Sequence, residues 1–168
     1  MSAFDDLLAA NVPYTEGFDD AGLQPVAARG LAILTCMDSR IDPLGMLGLS
    51  KGDAKILRNA GARVTDDVLR TLVLAAHLLG VTRVLVVPHT GCRMAEQSDD
   101  QFHELIQERA GIDTRSLDFG TETDQEGTLR RDLQRIRSYP LLPPGLVVGG
   151  AIYDVRSGAV RPFDLGDA

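Results

Sequence analysis

Apolar residues along this chain fall into two kinds of run that alternate. Ala28 to Thr35 (centred on Leu31-Ala32-Ile33-Leu34), Ala54 to Leu57, Arg83 to Pro88 and Leu146 to Tyr153 are short and nearly continuous in apolar character. Such runs predict strands covered on both faces. The stretches between them carry helical spacing: Val68, Leu72, Ala75, Ala76 and Leu79 within Asp67 to Leu79, Phe102, Leu105 and Ile106 within Asp99 to Gly111, and Leu129, Leu133 and Ile136 within Gln125 to Ser138. Punctuation agrees with the periods. Thr65 or Asp66 caps the first helix and Gly80 stops it, while Pro140, Pro143 and Pro144 end the last. Asp42-Pro43 predicts a further, short helix ending near Leu49, and Lys51-Gly52-Asp53 a turn. Ile112 to Thr123 predicts a polar loop. After a turn at Asp154 to Gly158, Ala159 to Phe163 is expected to pair back as an antiparallel edge strand.

The amino-terminal part breaks the alternation. A short helix is expected over Phe4 to Asn11, with Phe4, Leu7 and Leu8 on one side. Val12 to Gly30 is punctuated by Pro13, Gly17, Gly22, Pro25 and Gly30 and has no sustained period. Structureless segments of that length are unusual inside a compact domain, so it predicts an arm lying over its own domain or across a partner subunit. The expectation is an α/β fold, a single domain over 1–168. Its mostly parallel central sheet has about four parallel strands plus an antiparallel edge strand, flanked by helices, with an arm at 1–30 and a core at 31–168.

The 168 residues are 44% hydrophobic and 24% charged, in the ordinary range for a globular chain with its own core. A formal charge of -7 argues against a phosphate backbone or an anionic membrane as partner. No apolar run has the length of a spanning helix, and the acidic start lacks the layout of a signal peptide. A cytoplasmic location is the expectation. There a disulfide between the two cysteines, Cys36 and Cys92, is disfavoured and metal ligation favoured.

Both cysteines sit where strands end. In an α/β sheet, ligands bind at the carboxyl ends of strands where connections diverge. Cys36 follows the first predicted strand, and Asp38 and Arg40 come at alternate positions after it, so that an extended backbone turns all three to one face. His89-x-x-Cys92 follows the third. If the two strands are neighbours, a Cys2His set assembles. Thiolates with an imidazole favour Zn2+, and three protein ligands leave a tetrahedral position open, as in catalytic sites. Two thiolates weaken the metal as a Lewis acid, so a nearby carboxylate is expected to help orient the water. Arg40 would keep Asp38 ionised for that role. His77 and His103 lie within predicted helices and are expected to serve packing or surface.

Cys36-x-Asp38-x-Arg40, Arg58-Asn59-Ala60-Gly61 and His89-x-x-Cys92, in that order, resemble the signature of the β-class carbonic anhydrases, covering about Leu31 to Met94. The short length is similar to that of compact bacterial and archaeal-type members. The resemblance implies zinc-dependent reversible hydration of CO2 to bicarbonate and a proton. It implies Zn2+ on Cys36, His89 and Cys92, with Asp38 and Arg40 catalytic and Asp38 a fourth ligand in a closed state. It also implies a homodimer or higher homo-oligomer with the arm across the partner, and no nucleic acid or membrane partner. The chain has no Trp, so the tryptophan-containing bicarbonate pocket of some relatives is not expected. Competing readings are a carbonyl sulfide or carbon disulfide hydrolase on the same scaffold, and a non-catalytic zinc-stabilised binding module. Asp38 and Arg40 argue against the module, because a structural zinc needs neither.

Overall fold

The computed structural model describes residues 2–165. Five strands, β1 (Leu31–Cys36), β2 (Ala54–Asn59), β3 (Arg83–Val87), β4 (Val147–Tyr153) and β5 (Val160–Phe163), form one sheet. Their order is β2-β1-β3-β4-β5. β1 pairs in parallel with β2 and β3, β3 in parallel with β4, and β5 antiparallel to β4. The expected mostly parallel sheet with one antiparallel edge is therefore present, and the two motif-bearing strands are neighbours, with Thr35 opposite Val87.

Alternation along the strands divides the core. Ala32 and Leu34 of β1, Val84 and Val86 of β3, and Val148 and Ile152 of β4 face α2 (Asp66–Leu78) and α5 (Gln125–Arg137), which contribute Leu69, Leu72, Leu129, Leu133 and Ile136. Each such fully buried side chain contributes roughly 1.5–3 kcal/mol of apolar burial. Leu31, Ile33, Leu85 and Val87 face the other way and are covered by Met46, Leu47 and Leu49 from the β1–β2 connection. At Gly150 a β-carbon would lie 2.8 Å from Leu133 Cδ1 and 3.3 Å from Leu129 Cδ2. Its bare backbone lets α5 close on β4.

Thr65 accepts from Val68 N and caps α2, as expected. Two differences have clear causes. The stretch after Asp42 forms only a 3-10 turn over Gly45–Leu47. Asp42 folds its carboxylate onto the stretch before this turn, accepting from Leu44 N and Gly45 N. It is not the cap, which is Leu44, and Gly45 and Gly48 weaken helical propagation. The amino-terminal helix α1 (Asp5–Glu16) continues through Pro13 instead of ending near Asn11. None of its residues is buried, so the carbonyl that Pro13 leaves unpaired is open to water.

The segment after α1 is not patternless either. A 3-10 turn spans Asp20–Gly22. Lys51 binds Asp20 Oδ2 at 2.5 Å and Tyr14 Oη at 3.2 Å, and Lys55 binds the Pro25 carbonyl. Ala28 N and Arg29 N then donate to Gly52 O and Asp53 O. Those bonds delay the start of β1 from Ala28 to Leu31. The remaining helices are α3 (Arg93–Glu96) and α4 (Asp99–Ala110).

Candidate metal centre

The carboxyl ends of β1 and β3 bring Cys36, His89 and Cys92 together, with one donor atom of each within 4.8 Å of the others and all three residues buried. The two Sγ atoms are 3.9 Å apart. His89 is fully buried, and its Nδ1 donates to Thr90 O at 2.9 Å. A carbonyl can only accept, so the proton sits on Nδ1 and the Nε2 lone pair is free. Nε2 is one of two buried side-chain N/O atoms without a hydrogen-bond partner among the described residues, the other being Gln97 Oε1. An unpaired polar atom in the interior costs stability unless something meets it. Two thiols and an orphaned imidazole nitrogen form a donor set that fits a soft tetrahedral cation.

The turn that bears two of these donors is held one carbonyl at a time. Thr35 Oγ1 donates to Val87 O at 2.8 Å and Tyr153 N to Pro88 O at 2.9 Å. Gln125 Nε2 donates to His89 O at 2.8 Å, and Arg40 Nη2 to Gly91 O at 3.1 Å. Arg58 does the same for the other ligand loop. Its guanidinium donates to Cys36 O at 2.9 Å, Asp38 O at 2.6 Å and Ile41 O at 3.3 Å. Gly61, at φ +78, aims its N–H at Cys36 Sγ at 3.4 Å. That left-handed backbone favours glycine. Asn59 brackets the same turn, with its side chain bonded to both the N–H and the carbonyl of Arg63. Arg63 ties the turn to α5 through buried Asp132, 2.9 Å away.

Asp38 lies at the rim, with Oδ2 3.7 Å from His89 Nε2. Arg40 engages both carboxylate oxygens, Nε to Oδ1 at 2.9 Å and Nη2 to Oδ2 at 2.7 Å, and its backbone N also reaches Oδ1 at 2.9 Å. The meeting is not made by strand alternation as expected. β1 ends at Cys36, and a turn closed by Ile41 N to Asp38 O brings Arg40 back onto the carboxylate.

These contacts set the electrostatics. The Arg40 guanidinium holds the Asp38 carboxyl well below the usual carboxylate range. Donation from the Cys92 thiol lowers Cys36 to about 4 against the opposing effect of burial, while the same bond and burial push Cys92 up. A cation held by both sulfurs would displace the protons that they carry. Burial pulls the His89 pKa down, but the adjacent Cys36 thiolate outweighs it and raises it.

His77 and His103 are engaged elsewhere, His77 Nε2 with Leu141 O at 3.0 Å and buried His103 Nδ1 with Thr114 Oγ1 at 2.9 Å. Arg58 and Gly61 belong to a motif that the sequence displays, though not with the roles seen here. Gln125, Arg63 and Asp132 carry no spacing that marks them.

Residues 31–160 match the family model described as carbonic anhydrase. The chain is 38% identical over 162 residues to β-carbonic anhydrase 1 of Mycobacterium tuberculosis, covering 96% of this chain and 98% of that one. A solved carbonic anhydrase from Streptococcus mutans superposes with a TM-score of 0.91 at 40% identity, covering 98% and 99% of the two chains. A carbon disulfide hydrolase of Acidithiobacillus thiooxidans is 29% identical, over 83% of this chain and 80% of its own.

Proposed function

Because the chain belongs to the β-carbonic anhydrase family, we propose that it catalyses the reversible hydration of CO2 to bicarbonate and a proton, using Zn2+ held by Cys36, His89 and Cys92. The observation that carries the reading is the partnerless Nε2 of His89 facing two thiols, with an ionised carboxylate at 3.7 Å. Zinc in such a site supplies Lewis acidity that brings the pKa of water down toward neutrality, less strongly with two thiolates than with three imidazoles.

The protein's own residues do the rest. Asp38 accepts a hydrogen bond from the attacking water and turns the oxygen lone pair toward the carbon of CO2. Its depressed pKa makes it an orienter and a poor proton acceptor. Arg40 fixes the carboxylate through both oxygens and ties it to the ligand turn through Gly91 O. Arg58 fixes the carbonyls of Cys36 and of Asp38 itself, so the carboxylate is placed before substrate arrives. With both oxygens on Arg40, the carboxylate is engaged away from the three donors, which would leave a fourth position to water. Asp38 as a fourth ligand belongs to a closed form in which that pair has separated.

The rest of the assignment follows the same reading: one domain with a core at 31–168, a cytoplasmic location, and a homodimer or higher homo-oligomer. Exposed Phe4, Leu7, Leu8, Val12 and Phe18 on the arm support assembly with a second copy. Among the described residues no helix is long and apolar enough to cross a membrane. The carbon disulfide hydrolase relative gives a second reading on the same residues.

Stopped-flow hydration assays on zinc-loaded protein decide between them. The parent is expected to turn over CO2, and Arg40→Ala to lose about 10²-fold or more while keeping its zinc. Hydrolysis of carbon disulfide without CO2 hydration would establish the second reading. Parental rates in Arg40→Ala between about pH 6.5 and about pH 9 would reduce the Asp38–Arg40 pair to a structural contact.

A further inference from the structure

We infer that Gln125 is a positioning residue of the metal centre, holding the carbonyl of His89 and so fixing the peptide from which the imidazole is aimed at Cys36 and Cys92. The inference rests on the ligand set proposed above.

Gln125 is far from the ligands in sequence and comes from a different layer of the fold. It is the first residue of α5, and its Nε2 donates to His89 O at 2.8 Å. It lines a crevice together with Pro88, Cys92 and Thr128, directly behind the ligand turn. The helix start does not need this side chain. Asp124 is the cap, accepting from Gly127 N at 2.9 Å with its side chain and from Thr128 N with its carbonyl. The Gln125 amide is therefore free to serve the ligand turn.

The direction of the effect follows from how His89 is held. Its ring is oriented by Nδ1 donating to Thr90 O, one peptide further along. That acceptor belongs to the following peptide, whose placement starts from the His89–Thr90 unit, so holding this unit helps to hold the acceptor and with it the ring. Gln125 grips this peptide at its carbonyl, while Thr90 N donates to Tyr153 O on the other side of the same unit. With both groups engaged, the peptide cannot rotate and the imidazole keeps its aim. Without the Gln125 donor the carbonyl lacks its partner in the interior, and the peptide is free to turn toward another donor. Partners that orient metal-binding histidines typically change metal affinity about 10–100-fold when removed.

Two variants of similar length separate this role from others. Gln125→Glu keeps the shape, loses the donor and adds a negative charge that the α5 amino terminus favours. Gln125→Met loses the donor without adding charge. Each is loaded with zinc and mixed with excess chromophoric chelator, and the cobalt(II)-loaded forms are compared by visible absorption. Both variants are expected to release zinc about tenfold faster than the parent, with shifted cobalt bands and a parental fold by circular dichroism.

A residue that only begins a helix would give parental or slower release in Gln125→Glu, and parental release in both would overturn the inference. Acceleration in Gln125→Glu alone would trace to charge and overturn it too. The ligand assignment fails by a different sign: a parent that takes up no zinc, or takes it up unchanged after Cys92→Ser.

Discussion

The turn from Val87 to Cys92 and the arm from Phe4 to Val26 are both irregular or marginal backbone, and they are treated in opposite ways. In the turn, every carbonyl from Val87 to Gly91 has a donor, drawn from β1, β4, α5, the turn itself and Arg40. His89 and Cys92 are buried there. In the arm, α1 buries nothing, and Phe4, Leu7 and Leu8 are each more than 60% exposed. Its ties to the domain are few: Lys51 on Asp20 and Tyr14, and Lys55 on Pro25. Buried irregular backbone persists only when its polar groups are satisfied. A solvent-facing helix needs no such care but leaves its apolar side chains unserved. The first region is finished within one chain, save for the atom Nε2 that awaits a ligand. The second is finished by something outside it.

Removing a ligand breaks the first region most severely. Cys92→Ser replaces a thiolate by a hydroxyl that stays protonated at neutral pH. It is expected to lower zinc content well below one per chain by atomic absorption, and CO2 hydration by about 10³-fold or more. Full zinc occupancy in this variant would take Cys92 out of the site.

Deleting residues 1–27 tests the second region. The exposed side-chain ties that the arm makes to its own domain are worth about 0–1 kcal/mol each. The deletion takes one small core residue with it, Ala27, whose N–H donates to Leu79 O, so the core should fold without the segment. The deleted form is expected to sediment as monomer or to aggregate, because the surface that the arm completes on a partner is lost. A soluble, active dimer would show that the arm serves only its own chain.

The contrast also explains what could be read in the sequence. The Cys36, His89 and Cys92 cluster is legible because its donors are rare residues at the ends of apolar runs, with two cysteines in the whole chain. Their meeting required the two strands to be neighbours, and β1 does neighbour β3. What holds the site was not legible. Gln125, Arg58 and Arg63 act on backbone carbonyls or on one buried carboxylate, and a donor to a carbonyl needs no particular residue type at the other end. Nothing at His89 signals that residue 125 will reach it. The helix of the arm runs further than expected for a related reason. Pro13 predicts a helix end only where the lost hydrogen bond is costly, and at an exposed position water replaces it.

The smallest expected effect tests whether hydrogen bonds alone can finish an irregular segment, as they do in the ligand turn. In the polar loop from Ile112 to Thr123, the segment Phe119 to Thr121 is gathered on one carboxylate, Asp99 at the start of α4. Asp99 accepts from Phe119 N at 2.7 Å, from Thr121 N at 2.9 Å and from the Thr121 hydroxyl. Burial raises its pKa, but these donors outweigh burial and bring it down to about 2. A carboxylate whose pKa is lower folded than unfolded stabilises the fold fully above its unfolded value, near about 3.9. That contribution is lost as pH falls through the folded value of about 2. Asp99→Ala should therefore cost about 1–3 kcal/mol in urea unfolding at neutral pH. The gap between variant and parent should stay constant down to about pH 4 and narrow from there toward about pH 2. Zinc release and hydration at neutral pH should stay close to parental, since the loop's ties to the site, Arg63 to Gly120 O and Glu122 N to Met94 O, do not involve Asp99. A gap that persists undiminished at about pH 2 would mean that Asp99 holds the loop by packing and not by charge.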